Sequence, residues 1–136
     1  MKKQDGSFEL RIPSSRSSIH RVEEFFRSVN ESIGMPDERL HTLLVSVTEA
    51  VNNGIIHGNK NNESKFVTVN VRLEERTLSV TVADEGEGFV PSSVANPLQE
   101  ENLLNTGGRG VFLMKAFMQS VTYNAKGNEV TMVMTI

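Results

Sequence analysis

The sequence predicts an α+β fold, a two-layer sandwich with a mixed, mostly antiparallel sheet and three helices on one face. Two patterns support this fold class. Apolar residues at every second position mark five strands, and apolar residues at steps of three and four mark three helices. Four of the strands form two pairs joined by short turns, which is typical of antiparallel hairpins. Helices that alternate with such strands can cover one side of their sheet.

The first predicted elements are a strand and a helix. Apolar and charged residues alternate over residues 8–12, which indicates a strand with one buried face. Ser14 or Ser15 can cap the following helix, whose apolar stripe runs through residues 19–33. Gly34 comes next, and glycine is the usual residue just past the end of a helix. The first helix is therefore predicted to end at this glycine.

The second predicted helix carries the most informative polar residues. Pro36 is placed to begin it, and apolar residues at helical spacing continue to Val51. Another face of this helix is polar and ends with Glu49 and Asn53, one turn apart. A carboxylate and an amide so arranged can hold a base beside a metal-binding oxygen, so we interpret the helix as the floor of a nucleotide site. The alternative interpretation is an ordinary solvated helix face.

Gly54 lies where this helical pattern ends. A glycine inside a helix costs about 1 kcal/mol relative to alanine, so its presence indicates that another segment approaches closely. The alternative is a fraying helix end, because Gly58 and Asn59 follow shortly afterwards.

The rest of the chain is predicted to contain two hairpins separated by a loop and a helix. Alternating residues predict the first hairpin over 67–83 and the second over 121–136. Residues 84–107 have no periodicity, and a loop of this length in a compact domain is usually functional or mobile. Residues 111–118 return to helical spacing. We see neither a repeat nor a linker, so residues 1–136 are expected to form a single domain.

The amino-acid composition excludes several classes of protein. The chain has no cysteine, which excludes disulfides and thiolate metal sites. Its formal net charge of −3 argues against nucleic-acid binding, which normally requires a basic surface. No apolar run is long enough for a membrane span or a signal peptide. We therefore expect a cytoplasmic protein without a membrane partner.

Two glycine-containing segments complete the candidate site. Asp84 directly follows a strand, and Gly86 and Gly88 would let the backbone pass close to a planar ligand while the carboxylate accepts a hydrogen bond. The segment 107–110 opens the third predicted helix, where free backbone N–H groups can bind phosphate and Arg109 adds a charged donor. The alternatives are an exposed acidic turn for the first segment and a flexible hinge for the second.

Together the three blocks resemble the motifs of the Bergerat-fold ATPases, the superfamily of gyrase, heat-shock chaperones, histidine kinases and mismatch-repair ATPases. Glu49-x-x-x-Asn53 resembles the N box, Asp84-x-Gly86-x-Gly88 the first glycine box, and the segment 108–111 the second. The similarity is greatest to the anti-sigma-factor serine/threonine kinases, and it covers residues 8–136.

The resemblance implies a role for each matching residue. Glu49 would be the general base, Asn53 would bind Mg²⁺, and Asp84 would accept a hydrogen bond from the adenine of ATP. The glycines of the first box would make room for the purine. Gly108, Arg109 and Gly110 would contact the phosphates. Asn105 and Thr106 would lie near the phosphates in a lid. The implied nucleotide-binding set is Asn53, Asp84, Gly86, Gly88, Asn105, Thr106, Gly108, Arg109 and Gly110.

The implied activity is phosphorylation of a serine or threonine on an anti-anti-sigma protein of the STAS type, together with sequestration of a sigma factor. Kinases of this type are commonly dimeric, so a homodimer is one state that the resemblance implies. Two other functions stay open at this stage. The chain could be a nucleotide-gated binding module that transfers nothing, or it could be a stand-alone ATP hydrolase.

Overall fold

The computed structural model describes residues 6–86 and 118–136. Within these ranges the chain forms five strands and two α-helices, a short 3₁₀ turn before the first helix and a five-residue π-helical segment after the second. The regular elements are β1 (Gly6–Pro13), α1 (Ile19–Ile33), α2 (Asp37–Asn53), β2 (Phe66–Glu74), β3 (Thr77–Ala83), β4 (Ser120–Tyr123) and β5 (Glu129–Thr135). The π-helical segment Gly54–Gly58 is called the π turn below.

The five strands form one sheet in the order β1-β2-β3-β5-β4, and every neighbouring pair is antiparallel. The predicted α+β class and both predicted hairpins are confirmed. The expected mixture of strand directions does not occur among the described strands, because all four neighbouring pairs are antiparallel. The third predicted helix, residues 111–118, lies outside the described residues except for Met118, which is buried two residues before β4.

The predicted helix boundaries are nearly correct. Gly34 has a left-handed backbone with φ of 77°, and its N–H donates to Asn30 O, so it ends α1 as expected. Ser15 caps the 3₁₀ turn before α1 by accepting from the Ser17 N–H. Pro36 precedes the first residue of α2 rather than beginning the helix, and Asp37 lies in the first helical turn, where the helix dipole favours a negative charge.

The core lies between the two helices and one face of the sheet. Alternate residues of the strands point inward, and the buried stripes of α1 and α2 pack against them. The largest fully buried side chains are Phe26, Ile12, Ile33, Leu43, Ile55, Leu73, Leu78 and Met132. Among the residues described, no helix combines the length and the hydropathy needed to cross a membrane.

Candidate functional site

The end of α2 meets the end of β3, and glycine makes this approach possible. A Cβ atom added to Gly54 would lie 3.4 Å from Asp84 Cβ, which is ordinary contact. A Cβ added to Gly58 would overlap the Asp84 carboxyl group. The close approach expected at Gly54 therefore exists, and its partner is the carboxylate at the end of β3. The π turn matters here because it widens the helix end at this point, and π-helical turns are frequently found at functional sites.

Gly86 contributes to the same contact from the other side. It is buried, and a Cβ added to it would overlap the backbone of Gly58. Any side chain at position 86 would thus collide with the backbone of the π turn. The absence of Cβ atoms on both glycines lets the strand end and the π turn touch backbone to backbone. This contact brings Asp84 next to the helix end.

The polar face of α2 is not simply solvated. Ser46 is fully buried and donates to Thr42 O at 3.3 Å, while Glu49 and Asn53 are each about half-buried. Across residues 6–86 and 118–136, neither Glu49 nor Asn53 forms a side-chain hydrogen bond. Asn53 directly precedes Gly54, which contacts Asp84, so the amide, the carboxylate one turn earlier and Asp84 share one region. Both polar side chains of the helix can therefore accept or coordinate an external group.

Burial perturbs the acidity of Asp84. Burial raises the pKa of its carboxyl group above the ordinary value of 3.8, and two smaller effects act in the opposite direction. These are the Gly86 N–H, which donates to Asp84 Oδ1 at 2.8 Å, and the positive charge of Lys126. Within the described part of the chain, Asp84 Oδ2 has no hydrogen-bond donor. A partly desolvated carboxylate with a free oxygen is suited to accept an N–H group from a ligand.

Two asparagines that the sequence interpretation did not single out hold the backbone around Asp84. Asp84 N–H donates to Asn128 O at 2.9 Å, and Asn128 Nδ2 donates back to Asp84 O at 3.3 Å. Glu85 N–H donates to Asn59 Oδ1 at 2.8 Å. Asn59 is 2% exposed, although its position after the helix suggested a fraying end. Asn59 belongs to a run of polar residues, and nothing in the sequence of that run indicates that this asparagine is buried.

The remaining predicted site residues lie outside the described residues. They are Gly88, Asn105, Thr106, Gly108, Arg109 and Gly110. Among the residues described, no group of three or more histidine, cysteine or acidic side chains could hold a metal ion. A single amide oxygen such as that of Asn53 nevertheless fits Mg²⁺, because Mg²⁺ in nucleotide sites usually takes few protein ligands and completes its shell with phosphates and water. The half-buried, unbonded amide of Asn53 is therefore compatible with this ion.

Comparison with known proteins finds relatives along most of the chain. A family model described as a histidine kinase-like ATPase domain matches residues 12–134. The chain is 26% identical over 122 residues to the serine-protein kinase RsbW of Oceanobacillus iheyensis, which covers 85% of this chain and 77% of the relative. It is 25% identical over 140 residues to the serine-protein kinase RsbW of Staphylococcus aureus, which covers 97% of this chain and 88% of the relative.

A solved structure shows the same fold. The crystal structure of the RsbU and RsbW domains of a Mycobacterium tuberculosis protein matches with a TM-score of 0.67 and 14% sequence identity. The match covers 96% of this chain, which spans 32% of the length of that protein. At this identity the likeness supports the fold alone. Homology to serine-protein kinases, in contrast, extends along nearly the whole chain.

Proposed function

Because the chain belongs to the histidine kinase-like ATPase domain family, we propose that it is an ATP-dependent protein serine/threonine kinase that acts as an anti-sigma factor. Its substrate is a serine or threonine on an anti-anti-sigma protein of the STAS type, and its second partner is a sigma factor. One observation carries the proposal. The polar end of α2 meets Asp84 in a chain that is homologous to serine-protein kinases over most of its length.

Asp84 recognises the adenine. Its Oδ2 accepts a hydrogen bond from the amino group of the base, while its Oδ1 stays bonded to the Gly86 N–H. The buried glycine contact between the π turn and Gly86 supports this role, because it holds the carboxylate in place before a ligand arrives. A carboxylate that is already positioned and partly desolvated loses little on binding an N–H donor.

Glu49 accepts the proton of the attacking hydroxyl group. Its carboxylate is half-buried on the same helix face as Asn53 and has no hydrogen bond within the described ranges, so it is free to act as a base. Phosphoryl transfer requires positioning and charge stabilisation more than covalent chemistry. A helix that presents a base one turn before a metal-binding amide satisfies part of this requirement.

Asn53 would hold Mg²⁺ through its side-chain oxygen, and the bound ion would supply positive charge that neutralises the phosphates of ATP. By the motif resemblance, the segment around Gly108, Arg109 and Gly110 would supply backbone N–H groups and a guanidinium to the same phosphates, and Asn105 and Thr106 would belong to the same part of the site. These assignments rest on the sequence motifs and on the family membership of the chain.

A labelling assay tests the proposal. Purified protein is incubated with Mg²⁺ and γ-labelled ATP in an extract of the cell from which it comes, and we expect one small protein to become labelled. Glu49→Gln should bind ATP but produce no label. Glu38→Gln is the matched control, because Glu38 is an exposed acid in the first turn of the same helix and should leave labelling intact.

The possible outcomes separate the functions. Label that appears with wild type and with the Glu38 variant, but not with the Glu49 variant, supports the kinase and identifies its substrate. ATP binding by calorimetry without any label would replace the kinase with a nucleotide-gated binding module. Hydrolysis of ATP without a labelled protein would indicate a stand-alone hydrolase. Absence of ATP binding would refute all three.

A further inference from the structure

We propose that Asn59 is a positioning residue that sets the selectivity of this site for adenine, an inference that rests on the proposed role of Asp84. Asn59 has no direct part in the site as the motifs define it. It lies one residue past the π turn and is buried, with 2% of its surface exposed. A buried asparagine must satisfy an amide donor and an amide acceptor, so its partners reveal what it holds together.

The side chain of Asn59 joins three separate segments. Its Nδ2 donates to Ser14 Oγ at 2.7 Å and to Phe66 O at 3.0 Å. Its Oδ1 accepts from Glu85 N–H at 2.8 Å. The segments are the end of β1, the start of β2 and the residue after Asp84. One side chain thus ties the strand end that carries the adenine-binding carboxylate to the helix end that carries Glu49 and Asn53.

The backbone of Asn59 strengthens this connection. Its N–H donates to Gly54 O at 2.7 Å and closes the π turn, and its carbonyl accepts from Asn62 N–H at 3.0 Å. Ser14 is also fully buried, and its Oγ donates to Lys65 O at 2.8 Å. The anchor of Asn59 is therefore itself fixed. The hydrogen bonds of Asn59 therefore connect the π turn to the backbone of residue 85.

Asp84 depends on this connection because the contact of Gly86 with Gly58 is steric and has no hydrogen bond among the described residues. Its backbone is bonded on the far side to Asn128, in the turn between β4 and β5. That contact holds Asp84 to the sheet but does not set its distance from α2. Asn59 supplies the bond on the helix side. Loss of the Asn59 side chain should leave the sheet intact and let the segment 84–86 shift relative to the π turn.

A shift of this kind has a specific consequence for nucleotide choice. ATP offers an amino group to Asp84, whereas inosine triphosphate carries a carbonyl oxygen at the same position. A fixed carboxylate accepts from the amino group and opposes the carbonyl, while a displaced carboxylate does neither. The ratio of the two affinities therefore reports the placement of Asp84. A general loss of stability would weaken both nucleotides and would leave their ratio unchanged.

The experiment compares binding of ATP and inosine triphosphate to wild type, Asn59→Ala and Asn62→Ala by calorimetry. We expect wild type to prefer ATP by roughly tenfold to a hundredfold, the range for a hydrogen bond to a charged group. Asn59→Ala should reduce this preference to about threefold or less, mostly through weaker ATP binding. Asn62→Ala is the matched control, because the side chain of this exposed asparagine accepts hydrogen bonds from Ser64 and, among the described residues, has none with residues 84–86.

A preference for ATP that survives Asn59→Ala would overturn the inference while leaving the proposed function in place. Wild type without any preference would refute adenine recognition by Asp84 and, with it, the role of Asn59. If Asn59→Ala does not fold, hydrogen exchange on the wild-type protein decides. Slow exchange of the Glu85 amide and the Asn59 side-chain amide supports the positioning role of Asn59, and exchange of both at the rate of unprotected amides overturns it.

Discussion

Two alanine substitutions in the π turn should have opposite effects on stability. Gly54 has helical backbone angles, φ −64° and ψ −41°, and an added Cβ would meet its neighbours at ordinary distances of 3.4 Å or more. Gly54→Ala should therefore raise the free energy of unfolding by up to about 1 kcal/mol through helix propensity. An added Cβ at Gly58 would lie closer than 3.0 Å to the Asp84 carboxyl group. Gly58→Ala should lower the free energy of unfolding by about 1–3 kcal/mol, the usual cost of overpacking.

The comparison is controlled internally. Both changes replace glycine by alanine within five residues, so their effects on the entropy of the unfolded chain nearly cancel. The free energies of unfolding of the two variants, measured with denaturant, should therefore differ by about 1–4 kcal/mol. The three atoms nearest to the added Cβ of Gly58→Ala belong to the carboxyl group of Asp84, so Asp84→Ala in the same chain should relieve the clash.

A double-mutant cycle between Gly58→Ala and Asp84→Ala measures this relief directly. We expect a favourable coupling of about 1–3 kcal/mol, since the two groups would be in contact. Two results would refute the reasoning. One is a Gly58→Ala variant as stable as wild type, and the other is a pair of substitutions whose effects simply add. Either result would mean that the π turn and the strand end do not touch through these glycines.

Four further predictions concern the chemistry of the site. Asp84→Asn should weaken ATP binding by about 1–3 kcal/mol, and calorimetry that finds unchanged affinity would count against adenine recognition there. Burial raises the pKa of Asp84 in the folded protein above its ordinary value of 3.8, so as pH rises the carboxyl group loses its proton in the unfolded chain before it does in the folded protein. Stability should therefore fall from pH 3.8 until the raised pKa is passed, and the Asn variant should lack this decline in a pH series of unfolding curves. Glu49→Gln should lower the transfer rate by roughly 10²–10⁴-fold with ATP affinity retained, and single-turnover kinetics with the labelled partner would test this. Gly110→Ala should weaken ATP by crowding the phosphates, which titration with ATP and its analogues would detect.

Much of the local structure follows from the sequence because its causes are local. Alternating apolar residues predict the strands, and glycine at position 34 ends α1 because its φ is 77°. The tight turn at Glu75 follows from two alternating runs separated by a short polar interval, and this residue has φ of 58°. Such features depend on neighbours within a few residues, so a linear pattern contains the information.

The candidate site is only partly local. The spacing of Glu49 and Asn53 on one helix face follows from helical geometry and was visible in the sequence. The same pattern is compatible with a solvated face, and only the buried Ser46 and the half-buried state of its neighbours exclude that alternative. Burial is a property of the surrounding chain, so periodicity alone does not decide between the two.

Tertiary structure decided which residues support Asp84. The sequence predicted a carboxylate at a strand end and a glycine in a helix, but their contact joins positions 30 residues apart in the chain. The burial of Asn59 between β1, β2 and the end of β3 likewise depends on pairings that span 26 and 45 residues. Hydrogen bonds of this kind exist only after the sheet has formed, because unpaired polar groups are tolerated inside a protein only when the fold provides partners. Sequence therefore determined the elements and the chemical groups they carry, and the assembled sheet determined which of those groups meet.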